Sequence, residues 1–243
     1  MVVPDRYLQQ TPIVMKKLII LWGAVLASLL FCGCPPGSAP YEDFYSRSFV
    51  LLYCQVSDIS IERRYYPEDD PDYNLGYFIW FVADKLYQAN RNGEEKQVYD
   101  ALCEKYNDVT YNRKVRYSYG EYNRPRCSCF FTDLEIWSTA DWDAGHPAGT
   151  PLDDIVRFES DTPWPYIRSG YTQRYSDKKR GEYYPVHCLV SELTADDMTL
   201  LPDYFFILFT SRPALDLQHT IRVRLTDDAG NVYEAGIDVD FSL

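Results

Sequence analysis

The densest run of polar functional groups lies between Thr139 and Asp154, TADWDAGHPAGTPLDD. Asp141, Asp143, Asp153 and Asp154 are the residue type that a hard cation such as calcium takes as oxygen ligands. An EF-hand loop needs oxygen ligands at positions one, three and five, Gly at six and Glu at twelve. With Asp141 and Asp143 at three and five, Ala144 falls at six and Thr150 at twelve, so that motif is not met. A looser oxygen cage competes with a plainer reading, in which Asp and Gly shape turns while Pro147 and Pro151 stiffen them. His146 in the same stretch could act as a general base beside a carboxylate. No Gly-x-Ser-x-Gly elbow and no His-Glu-x-x-His helix supplies it with a nucleophile or a zinc site. Paired carboxylates recur at Glu68, Asp69, Asp70 and Asp72, and again at Asp196 and Asp197. Glycoside hydrolysis needs two carboxyl groups facing each other at a defined separation, which adjacency in an acidic loop does not provide.

Aromatic side chains are the second chemical feature: 16 % of the chain, including 22 Tyr and 5 Trp. Tyr and Trp present a flat apolar face with a polar edge, which suits sugar stacking and protein interfaces. Many of these rings are ordinary strand residues. Trp142, Trp164, Tyr166 and Tyr171 lie in segments with no strand or helix period, and they are the candidate ligand platforms. Trp142 and Trp164 are the leading pair.

Upstream of everything else stands a targeting signal. Met15-Lys16-Lys17 is a short basic start, and Leu18 to Phe31 is an uncharged run. At 1.5 Å per residue that run spans roughly 21 Å, short of the ~30 Å bilayer core. It reads as the core of a signal peptide covering residues 1–33, with Met15 as the expected true start. The following Phe31-Cys32-Gly33-Cys34 resembles the lipobox of bacterial lipoproteins. That resemblance implies lipidation of Cys34, with Cys32 as the rival position. Loss of residues 1–33 removes three basic residues and one acidic one, taking the formal charge from −12 to −14. So acidic a domain is repelled by anionic membrane surfaces, so lipid must do the anchoring. The stretch 34–43 (CPPGSAPYED) is the lipidated Cys and its tether.

Five cysteines then remain: Cys54, Cys103, Cys127, Cys129 and Cys188. In an oxidising compartment five allow two disulfides and one thiol, in 15 arrangements. Cys127 and Cys129 are two apart, so on a strand they face the same side. Together with His187-Cys188 they do not match the usual zinc spacings, and buried thiols or disulfides are the expected fate.

The elements that would position these groups are mostly strands. Ser48 to Val56, running on through Ile61, and Gly76 to Val82, running on to Tyr87, are continuous apolar stretches of the kind covered on both faces. Glu94 to Tyr106 is the one convincing helix, with Val98, Leu102 and Tyr106 four apart. Val115 begins an alternating strand, Cys127 to Trp137 reads as one further strand, and Tyr184 to Val190 and Tyr204 to Phe209 as two more. Asp161 to Tyr171 reads as irregular. Thr220 to Leu225 and Val232 to Phe241 flank Asp227-Asp228-Ala229-Gly230-Asn231, the signature of a hairpin with a Gly-containing loop. No alternating βαβ pattern and no P-loop is present. The expected fold is mainly β: one antiparallel β-sandwich over 44–243, immunoglobulin-like at the C-terminal hairpin, with one short helix near 94–106. Two smaller sandwiches split near 139–165 are the alternative.

The lipobox-like start, the all-β body, the segment Asp133-Leu134-Glu135 with Asp141 to Asp154, and the terminal hairpin together resemble an uncharacterised family of Bacteroidetes lipoproteins, a domain of unknown function. The resemblance implies a lipid-anchored outer-membrane location and brings no catalytic residue with it. An acidic chain excludes an extended phosphate-binding surface, so nucleic acid is not an expected partner. The expected partners are the membrane, through the lipid, and a glycan or an envelope protein. The expected role is a non-enzymatic binding module without cofactor, calcium apart. A glycan-acting hydrolase using the 139–154 loop, and a structural accessory subunit of a surface complex, are the rivals.

Overall fold

Strands in this chain form where apolar residues alternate or run continuously, and their two faces meet different partners. The computed structural model describes residues 43–65, 74–116, 124–176 and 181–242. Asp43 to Leu243 is one unit. The lipidation candidate Cys34, the tether and the acidic stretch 66–73 lie outside the described residues.

The larger sheet has six strands in the order β5-β2-β3-β9-β7-β8. These are β2 (Leu52–Arg63), β3 (Gly76–Gln88), β5 (Arg126–Cys127), β7 (Val156–Thr162), β8 (Tyr184–Leu189) and β9 (Tyr204–Phe209). The smaller sheet joins β6 (Phe131–Ser138), β10 (Gln218–Asp227) and β11 (Val232–Asp240) in the order β11-β10-β6. A separate ribbon pairs β1 (Asp43–Ser46) with β4 (Arg113–Arg116). All ladders are antiparallel except β2 with β5. The expected mainly-β, antiparallel sandwich is what the chain forms.

Alternation places one set of side chains between the sheets. Tyr77, Ile79 and Phe81 from β3, Phe205, Ile207 and Phe209 from β9, and Ile221, Val223 and Leu225 from β10 are buried in one core. Burial of that apolar surface is the main drive for stacking the sheets. A second, smaller core lies on the opposite face of β2, where Tyr53 and Tyr87 meet a helix. The β2–β3 register slips at Gln55–Asp58, and such bulges rotate the side chains that follow. Tyr87 therefore faces the helix although Phe81 faces the sandwich.

That helix, α1 (Glu94–Lys105), coincides with the expected one, but it buries a different stripe. Tyr99, Cys103 and Tyr106 face inward while Val98 is exposed, because the tyrosine rings fill the space above Tyr53. Asn107 closes the helix at φ 53°, and the Asp108 N–H donates back to Cys103 O at 2.7 Å. This turn delivers the fully buried Asp108 carboxylate to the start of β2, where Phe49 and Val50 donate backbone N–H groups at 2.7 and 2.9 Å.

Two further expectations are corrected. Cys127 to Trp137 is not one strand: Arg126–Cys127 pairs in the large sheet and Phe131–Ser138 in the small one, with the bend between them crossing the sandwich. Asp161 to Tyr171 is not irregular, since it holds the end of β7 and a short helix α2 (Trp164–Arg168). Pro163 and Pro165 made it look like loop, yet Pro is well tolerated in a helix's first turn.

Candidate functional site

The outward face of the large sheet carries what the sequence hid inside two apolar runs. Phe78 and Trp80 from β3, and Tyr204 and Phe206 from β9, alternate with the core residues and point away from the sandwich. Phe78 lies opposite Phe206, and Trp80 opposite Tyr204. The Trp80 and Tyr204 ring centroids are 4.6 Å apart, those of Phe78 and Tyr204 5.5 Å, and those of Phe78 and Phe206 5.4 Å. Phe206 is buried as the floor, whereas Phe78, Trp80 and Tyr204 are half-buried. Strand pairing fixes the spacing of these rings, so the row is preformed.

Polar groups rim the row. The Arg64 guanidinium sits 4.6 Å from the Phe206 ring centroid and that of Arg124 sits 4.8 Å from Tyr204. Arg124 also donates to the Tyr204 hydroxyl at 2.7 Å. On the other side β7 and β8 place Glu159 directly opposite His187. Together these enclose a groove of about 350 Å³, within the general range of small-ligand sites. Behind the rim Asp161 is anchored by the buried Arg126 at 2.7 Å.

The sequence candidates lie elsewhere. Trp142 is fully buried, stacked on Phe209 with centroids 4.6 Å apart and planes 17° from parallel. It is a core residue and no platform, because its loop folds back over the end of the sandwich, with Trp142 O accepting N–H bonds from Ala214 and Leu215. Tyr166 and Tyr171 are likewise buried, in the second core. Tyr171 spends its hydroxyl on Asp108 Oδ1 at 2.8 Å. Trp164 is half-buried, and its Nε1 donates to Asp196 Oδ1 at 2.9 Å. Trp142, Tyr166 and Tyr171 therefore offer no free aromatic face, and Trp164 is half-buried with its polar edge tied to Asp196.

The 139–154 loop does gather His146 with two carboxylates. Nδ1 lies 2.9 Å from Asp143 Oδ1 and Nε2 lies 2.9 Å from Asp154 Oδ1. A deprotonated carboxylate only accepts, so the protonated ring, with an N–H on each nitrogen, is the form that makes both bonds. Partial burial lowers the His146 pKa, but the hydrogen bonds and charges of Asp143 and Asp154 outweigh it, and the net direction is up. The hydrogen bond from His146 holds the Asp143 carboxyl below its ordinary value. In that form the ring has no lone pair with which to take a proton. The triad braces the loop.

Calcium ligation fares no better. Asp143 Oδ1 also accepts the Gly145 and His146 N–H groups, and Asp141 Oδ1 accepts that of Ala148 at 2.7 Å. Asp153 is partly buried, which raises its pKa. Among the described residues no group of three or more His, Cys, Asp or Glu is arranged to hold a metal ion.

The fold also forms a Ser–His pair that the sequence concealed by 81 positions: Ser138 Oγ is 2.6 Å from His219 Nδ1, while Nε2 donates to Asp216 O at 2.8 Å. Ser138 and His219 are 2 % and 4 % exposed, so no substrate reaches the hydroxyl. The pair ties the end of β6 to β10.

No family model, curated protein or solved structure matches this chain. The aromatic groove is thus argued from its own geometry. The only trace of it in the sequence is that GYFIWFV and YFFILF are aromatic on both alternating sets, where a strand with one watery face would show polar residues on one.

Proposed function

We propose that this chain is a non-enzymatic binding module of the cell envelope, tethered through lipid on Cys34, that takes a glycan across Phe78, Trp80 and Tyr204. The observation that carries the reading is the half-buried Trp80–Tyr204 pair, 4.6 Å apart, beside a groove lined by Phe78, Tyr204, Arg64, Arg124, Glu159 and His187. A pyranose ring has an apolar C–H face and an equatorial belt of hydroxyls. The indole and phenol faces meet the first by stacking, and the charged rim meets the second by hydrogen bonds. A rigid platform also lowers the ordering cost of binding. The lipid anchor and outer-membrane location rest on the lipobox-like Phe31-Cys32-Gly33-Cys34.

The test is a screen of the full chain against an oligosaccharide panel, followed by titration calorimetry on the hits. The expected result is binding that falls at least tenfold, about 1.4 kcal/mol, in Trp80→Ala with unfolding behaviour intact. Binding untouched by Trp80→Ala and Tyr204→Ala, or silence across the panel, would overturn the reading. Metabolic labelling with a fatty acid tests the anchor: label lost in Cys34→Ser supports it, and label retained there removes it.

A further inference from the structure

Five cysteines are described, all as free thiols, and the fold spreads them over both sheets' neighbourhoods with one strand-paired couple among them. Cys188 is on β8, four strands from β2 in the large sheet, a distance of roughly 19 Å at about 4.8 Å per strand. Cys103 sits on α1 against Tyr53, and Tyr53 and Cys54, being consecutive on β2, point to opposite faces. Neither can reach Cys54. Cys127 can. In the parallel β2–β5 ladder Cys54 and Cys127 are direct partners, and both are buried on the sandwich side. The Ser128 N–H donates to Cys54 O at 2.9 Å and the Cys127 N–H to Leu201 O at 2.9 Å, which pins the register. Directly paired strand residues lie within the Cα separation of about 4.4–6.8 Å that a disulfide spans. Cys129 lies past the end of the ladder and is half-buried.

We propose that Cys54 and Cys127 are the disulfide-forming pair of this protein, closed by exchange with a small-molecule or protein disulfide while the large sheet assembles. In the first step the Cys54 thiolate attacks one sulfur of the oxidant, forming a mixed disulfide as the oxidant's own S–S bond breaks and its other sulfur leaves as a thiolate. The Cys127 thiolate then attacks the Cys54 sulfur and expels the second oxidant thiol. Two electrons pass to the oxidant, and the two cysteine protons end on its two thiols. Closure must precede burial. In the folded protein, burial and the neighbouring Cys54 thiol push the Cys127 thiol well above its ordinary pKa, and the thiolate is the reactive form. The same burial shields the finished bond from reductant. Short β5 then becomes covalently tied to β2 across 73 positions of sequence, a long loop of the kind whose closure most restricts the unfolded chain.

The pairing is independent of glycan binding. Its test is refolding of the full chain from denaturant with oxidised and reduced glutathione, alkylation of free thiols, and mass spectrometry of a non-reduced tryptic digest. The expected product links the peptides 48–63 and 127–157, with fragmentation between Cys127 and Cys129 placing the bond on Cys127. Cys129→Ser keeps this link and Cys103→Ser leaves it unchanged. The expected shift on adding reductant is a lower urea midpoint. A bond placed on Cys129, a link from 48–63 to the Cys103 or Cys188 peptide, or complete alkylation of Cys54 in the refolded protein would each overturn the proposal. The wild-type digest alone decides this, whether or not a variant folds.

Discussion

The indole of Trp142 lies on the Phe209 ring, 4.6 Å between centroids, in the heart of the sandwich. Trp80, on the opposite side of the same sheet, meets the Phe78 and Tyr204 rings, and Ser60 is its partner across the ladder. Two tryptophans thus take contrasting roles. Trp142→Ala empties a core site and also removes edge contacts with Phe241. It is expected to cost about 3–5 kcal/mol in urea unfolding. Trp80→Ala is expected to stay within about 1–2 kcal/mol of the parent, since its ring is only half-buried. Equal losses for the two would contradict this division of labour.

The loop brace makes a pH prediction. His146 has its pKa raised in the fold, so its contribution is complete below the unfolded value near 6.5 and fades as pH rises through the higher folded value. Asp143 has its pKa lowered, so its share is present above about 3.8 and lost as pH falls through the lower folded value. The brace is therefore strongest between roughly pH 4 and 6.5. His146→Ala should flatten the decline in thermal midpoint from pH 6 to 9 relative to wild type. An identical slope in the variant would remove His146 as its source.

Asp227 organises the C-terminal hairpin. Its Oδ1 accepts the Ala229 and Asn231 N–H groups at 3.0 and 2.9 Å, and its Oδ2 accepts Asn231 Nδ2 and the Tyr233 hydroxyl at 2.9 and 3.0 Å. Desolvation raises its pKa, but these four donors lower it further, and the net direction is down. Asp227→Ala leaves the buried Tyr233 hydroxyl without this acceptor, and the expected loss is about 2 kcal/mol. Hydrogen exchange should quicken first in the amides of β10 and β11. Unchanged protection there would show that the turn is held by other means.

Asp108 performs the matching task for β2. Its two oxygens each accept one backbone N–H, from Phe49 and from Val50, and Tyr171 adds a third donor. An Asn side chain must turn its NH₂ towards one of those N–H groups, so the isosteric Asp108→Asn is expected to cost about 1–3 kcal/mol. A neutral effect in chemical denaturation would mean that the Phe49 and Val50 amides find another acceptor.

Calcium is expected to leave the protein unmoved. The Asp141 and Asp143 carboxylates already accept backbone N–H groups, and Asp143 and Asp154 are already hydrogen-bonded to the His146 ring. Millimolar calcium and EDTA should give the same thermal midpoint. A rise with calcium, reversed by EDTA, would reinstate an oxygen cage in this loop.

How much could be read in advance follows from how local each signal is. The hairpin around Asp227–Asn231 was legible because alternation, turn residues and alternation again all fall within one stretch. Helix α1 and strand β9 were legible for the same reason: a period needs only its own residues. The buried stripe of α1 was not, because Val98 and Tyr99 are both apolar enough to face inward, and only the tyrosine-lined space above Tyr53 selects between them.

The sequence by itself determined the mainly-β class, the acidic balance of the chain, and the composition from which an aromatic site could be built. Tertiary structure decided which aromatics form it. Trp142 in an irregular loop went to the core, and Trp80 in an apolar strand went to the outward sheet face beside the groove. Facing is set by strand partners: Tyr204 sits opposite Trp80, and Cys127 opposite Cys54, across 124 and 73 positions of chain. Local spacing fixes which residues of one strand share a face. Pairing between strands distant in sequence fixes which faces meet, and that information exists only once the sheets have formed.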